Sequence, residues 1–169
     1  MKKKFIYLIV LFFGVAPGMF AQNEAHFQAL FVYNFTRYIQ WPASNSQEFV
    51  IGVLGKSSIY KELTNVASQK KIGSSTIVVK QYSNPSEIGK CQILIISGEA
   101  SSQVAQLAAE FQGKNTLIIT ERPGLSKKGA GICFALEDGK QRFEISKSNL
   151  EKNGLLVNNQ LLDMAIQTD

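Results

Sequence analysis

The sequence predicts an α/β fold: an open, mostly parallel sheet flanked by helices on both faces, with a C-terminal antiparallel hairpin. Three observations carry that reading. Short apolar runs at 49–54, 91–96 and 117–120 alternate with segments of helical period, as strands buried between helices do. Each run is apolar at nearly every position, which fits parallel strands covered on two faces. Further on, 137–140 reads Glu-Asp-Gly-Lys between the strand-like runs 131–136 and 142–145, and Asp-Gly is a strong hairpin signal.

Residues 1–21 read as a cleaved export leader. Lys2, Lys3 and Lys4 precede an apolar run, and Met19-Phe20-Ala21 offers a cleavage site before Gln22. The run is short for a membrane span and is broken by Gly14, Pro17 and Gly18. Residues 22–169 have the length of one domain. Of the 18 Lys and Arg, three lie in the leader; the remaining 15 against 13 Asp and Glu leave about +2, with no basic patch to suggest nucleic acid.

The segment 27–42 predicts a core helix. Phe27, Leu30, Phe31, Asn34, Phe35, Tyr38 and Ile39 recur at spacings of three and four, while His26, Gln28, Arg37 and Gln40 fall off that face. Pro42 stops it. After the strand at 49–54, Ser57 or Ser58 opens a second helix with Ile59, Leu63, Val66 and Ala67 inward, ending near Lys70. A strand at 76–79, a turn at 85–88 and the strand at 91–96 follow. Ser101 or Ser102 then starts a helix that Gly113 ends. Beyond the hairpin, a short helix from Ser146 or Ser148 stops at Asn153-Gly154. A last helix would place Val157, Leu161, Leu162, Ala165 and Ile166 on its apolar side.

Few residues suggest chemistry. Gly55, Lys56 and Ser57 join a strand to a helix, where free N–H groups can meet an anion. Val50 stands where a nucleotide loop needs glycine, so the motif is incomplete. His26 is the sole histidine and has no metal-ligand cluster near it in sequence. No cofactor motif is present, and the expectation is a protein that is not an enzyme. Arg142 shares a strand face with Glu144, and Arg142 with Arg37 would line a groove for a carboxylate. Tyr33, Tyr38 and Trp41 would anchor a partner if exposed. Cys91 and Cys133 lie in apolar runs; the reading favours two buried thiols, although export permits a bridge.

Several segments in order give a family resemblance: YNFTRYIQWP at 33–42, FVIGVLG at 49–55, CQILIIS at 91–97, TLIIT at 116–120, GAGICFALEDGKQRFEIS at 129–146 and GLLVNNQLLDMA at 154–165. Together they resemble the YfiR-like family, the domain of unknown function 4154 group. The resemblance implies a periplasmic protein that binds the sensor domain of a membrane-bound diguanylate cyclase and holds it inactive, lowering cyclic di-GMP and opposing biofilm growth. It also implies, as other partners, sensor histidine kinases, and the capacity to form homodimers. Two alternatives stand beside it: a periplasmic small-molecule or anion-binding protein using the strand ends near Gly55 and Ser97-Gly98, and a hydrolase.

Overall fold

The computed structural model describes residues 18–44 and 46–169, with side chains from Glu24 onward apart from Asn45. Residues 1–17 of the expected leader lie outside them. Helix α1 (Gly18–Tyr38) runs into β1 (Ile39–Gln40), followed by β2 (Glu48–Leu54), α2 (Ile59–Gln69), β3 (Lys71–Ile72) and β4 (Ser75–Tyr82). Then come β5 (Ile93–Ile96), α3 (Val104–Glu110), β6 (Leu117–Thr120), β7 (Ile132–Glu137), β8 (Lys140–Ile145) and α4 (Lys147–Lys152). The chain ends through β9 (Leu156–Val157), α5 (Asn159–Met164) and β10 (Ile166–Gln167).

Eight strands form one mixed sheet in the order β10-β8-β7-β6-β5-β2-β4-β3. Its centre, β4 through β7, is parallel, and β7–β8 is the antiparallel hairpin. Asp138 and Gly139 both have positive φ, 51° and 72°, as a two-residue turn matched to strand twist requires. β1 and β9 form a separate antiparallel pair. Helices cover both faces. On one, α1 and α2 pack over Ile51, Val53, Ile93, Ile95, Leu117 and Ile119, joined by Leu161 and Leu162 of α5. On the other, Val104, Leu107 and Phe111 from α3 and its end cover Val50, Leu54, Leu94, Ile96 and Ile118. Strands β2, β5 and β6 are therefore apolar at nearly every position because two separate clusters claim alternate residues.

Two expectations are corrected. The buried line of α1 is Ala25, Gln28, Ala29, Val32 and Phe35, whereas Phe27 is 47% exposed and Asn34 is exposed. Small Ala29 and Val32 let the helix axis approach the sheet, and the larger Phe31 and Tyr38 sit at its flanks. Gln28 is tolerated inside because its amide donates to Glu24 Oε1 at 3.1 Å. The last segment is not one helix: Val157 belongs to β9 and Ile166 to β10, leaving α5 only Asn159–Met164. Strand pairing with Ile39 and Glu144 claims those residues. β10 also adds outside β8, at Glu144 and Ile145.

Asp169 braces the start of α4. It accepts hydrogen bonds from Ser146 Oγ at 2.7 Å, Ser148 Oγ at 2.9 Å and the Ser148 N–H at 3.2 Å. Partial burial pushes its pKa up, but the hydrogen bonds from Ser146, Ser148 and Lys147 outweigh that and hold it below the usual carboxylate value. A depressed folded pKa contributes stability above the unfolded pKa and loses it as pH falls through the folded one. Between about pH 5 and about pH 2, wild type should therefore lose more urea stability than Asp169→Asn; parallel losses would refute this.

Candidate functional site

Counted from β2, the parallel strands lie in the order 2-1-3-4-5, so the chain reverses direction across the sheet between β2 and β5. Open α/β sheets place ligands at such a reversal, beyond the strand C-termini. Here Gly55, Lys56 and Ser57 leave β2, Ser97 and Gly98 leave β5, and Glu121 follows β6. Two carboxylates of the chain already occupy the donors. Glu99 Oε1 accepts the Lys56 N–H at 2.6 Å, and Glu121 accepts the Gly98 N–H at 2.9 Å and the Ser57 hydroxyl. Ser57 Oγ also accepts the N–H of Ile59, the first residue of α2, at 3.1 Å. An external anion would have to displace Glu99 or Glu121. The sequence signal for this arrangement was a glutamate shortly after each of two strands, easily taken for a solvated turn.

Gly55 is fixed by geometry. Its φ is +85°, and a Cβ there would come within 2.2 Å of Ser97 Oγ. The Gly55 N–H donates to the Tyr82 carbonyl at 2.9 Å, locking the loop to β4. Ser97 is fully buried, and its hydroxyl has no hydrogen-bond partner among the described residues. His26 is distant from it in role: its Nδ1 lies 3.1 Å from Glu62 on α2, at the surface. Among the described residues no group of three His, Cys, Asp or Glu side chains is placed to hold a metal ion.

A second site lies on the α1 side. A cleft of about 520 Å³ is bounded by Phe31, Asn34, Arg37 and Tyr38 of α1, Gln141–Phe143 of β8, and Leu161 and Met164 of α5. The structure thus brings Arg37, Tyr38 and Arg142 together. Arg142 Nε is 3.6 Å from Glu137 Oε2, beyond hydrogen-bond range, and has no hydrogen-bond partner among the described residues. Glu144, by contrast, accepts the Gly124 N–H at 2.7 Å and ties down the loop before β7.

Tyr33 and Trp41 lie elsewhere. The Tyr33 hydroxyl reaches the Lys71 carbonyl at 3.5 Å. Trp41 donates Nε1–H to the Gln92 carbonyl at 3.1 Å and packs edge-on against Phe49, with centroids 5.1 Å apart. It pins the end of α1 to the sheet. Leu161 and Met164 were missed as cleft residues because the sequence placed them on a longer last helix, whose position relative to α1 no periodicity reveals.

Cys91 and Cys133 are free and buried. Burial pushes the Cys91 thiol up to about 12 and raises that of Cys133 as well. Both should resist a thiol reagent at neutral pH in folded protein and both should react in denaturant without reductant. Fewer than two thiols counted in the unfolded, unreduced chain would overturn this.

The family model for domain of unknown function 4154, described as YfiR/HmsC-like, matches residues 25–166. No curated protein matches the chain. Among the described residues, no helix is long and apolar enough to cross a membrane.

Proposed function

The chain belongs to the YfiR/HmsC-like family, and from that premise we propose that it is an exported regulatory protein that binds and inhibits a membrane-bound signalling enzyme through that enzyme's periplasmic domain. The partner in this reading is a diguanylate cyclase or a sensor histidine kinase. The family match over residues 25–166 is the observation that carries it. The cleft bounded by Arg37, Tyr38 and Arg142 supports it, since it combines apolar lining with two cations near the surface. Regulation of this kind requires a partner with different affinity for two states of the enzyme. The crevice beside Gly55 is a weaker basis, because its amides already hold Glu99 and Glu121.

The test is capture from detergent-solubilised host membranes on the immobilised chain lacking residues 1–21, with identification by mass spectrometry. The expected result is recovery of a membrane protein carrying a cyclase or kinase domain, with cellular cyclic di-GMP falling on overexpression in the cyclase case. Recovery of no such protein would refute the reading. Fractionation should find the chain in the periplasm with its leader removed. Sedimentation should register the homodimer that the reading includes as a doubled mass.

A further inference from the structure

We propose that the cleft between α1, α5 and the uncovered end of β8 seats an extended acidic segment of the membrane partner, added as a strand beside β8. This deepens the regulatory reading and rests on it. The first observation is the sheet edge. β10 pairs with β8 only at Glu144 and Ile145. Before Ile166 the chain turns away into α5, so among the described residues Lys140–Phe143 have a strand on one side only. From the two-residue turn, Lys140 pairs with Glu137, and ladder bonds in an antiparallel pair alternate. The N–H groups of Gln141 and Phe143 therefore point away from β7, toward the space where β10 stops.

The second observation is what lies beside that edge. Phe31, Tyr38, Leu161 and Met164 offer apolar walls, and Met164 is 46% exposed. An added strand would turn alternate side chains onto this surface while its backbone meets the free donors. The third observation is charge. Among the described residues, Arg37 and Arg142 are the only charged ones bounding the cleft, and both are cationic. Arg37 is exposed and makes no ion pair among the described residues, and Arg142 holds Glu137 only at 3.6 Å. Carboxylates on the incoming segment would satisfy both, since a guanidinium can bind a carboxylate through two parallel N–H bonds.

The test uses the full chain in its host with a photo-crosslinking amino acid at Gln141, at Met164 or, on the opposite side of the sheet, at Gln112. Crosslinks from Gln141 and Met164 to a membrane protein with a cyclase or kinase domain, and none from Gln112, are expected. Arg37→Glu should lower the Met164 crosslink about tenfold or more. Gln141→Pro removes a donor that the β7 ladder does not use and should do the same. Should Gln141→Pro fail to fold, Arg37→Glu still decides, because the Arg37 side chain is exposed. Slowed amide exchange at Phe143 in the purified complex marks strand addition. Crosslinking of such a protein from Gln112 alone, or an undiminished crosslink in Arg37→Glu, sinks the inference and leaves the regulatory reading standing. Crosslinks from Gln141 only to a second copy of this chain also sink it. Absence of any such partner from all three positions and from membrane capture sinks both.

Discussion

Phe35→Ala is expected to cost about 3–5 kcal/mol, because a fully enclosed aromatic leaves a cavity the core can only partly fill. Phe35 is 1% exposed, and its ring lies 4.9 Å from that of Phe143 and 6.4 Å from that of Phe134. It is the point where α1 meets the β7–β8 hairpin. Phe27→Ala is the matched control. Phe27 belongs to the same helix and to the same apolar stripe in sequence, yet it is 47% exposed, so its loss should stay within about 0.5 kcal/mol. Urea unfolding of both variants checks the pair. For a chain of this size the Phe35 variant should melt lower by roughly 10 °C. Equal losses would mean that α1 is turned as its aromatic stripe suggests, and the buried line through Ala29 and Val32 would be wrong.

Gly55→Ala should cost about 2–5 kcal/mol, combining the left-handed backbone penalty with overpacking. At φ +85° any side chain is strained, and a Cβ would stand 2.2 Å from Ser97 Oγ and 3.1 Å from Glu99 Oε1. Glu99 holds the Lys56 N–H, so the added methyl also pushes on the carboxylate that closes this loop. Ser97→Ala separates the two contributions. Its hydroxyl has no partner among the described residues to lose, so the single variant should be nearly neutral. The double variant should recover only the part of the Gly55→Ala loss that comes from the hydroxyl. If it recovered all of it, backbone strain at position 55 would be negligible; if Gly55→Ala alone were harmless, the loop would not have this geometry.

The cleft and the crevice differ in how far residues alone disclose them. At the crevice, Gly55 and Ser57 announce a strand-to-helix junction, and the apolar runs announce the strands around it. The sequence does not say that Glu99 and Glu121, 43 and 64 residues on from their partners, fold back to fill the donors. At the cleft, Arg37 and Arg142 suggest a carboxylate groove from strand alternation and charge. Its other wall, Leu161 and Met164, depends on where α5 packs, and that follows from β9 pairing with Ile39 and β10 with Glu144. Two-residue strands carry too little periodicity to be distinguished from the ends of a helix.

The residues by themselves determined the longer parallel strands, the Asp138-Gly139 hairpin and the alternation of strands and helices between them, because burial on two faces and turn stereochemistry leave local marks. They also carried the resemblance to the family, through the order of short apolar segments. Only the tertiary structure decided which side of α1 faces the sheet, which carboxylates close the Gly55 loop, and where the edge of β8 stays open. Those outcomes depend on contacts between segments far apart in the chain, where small side chains such as Ala29 win the closest approach and no local pattern records the result.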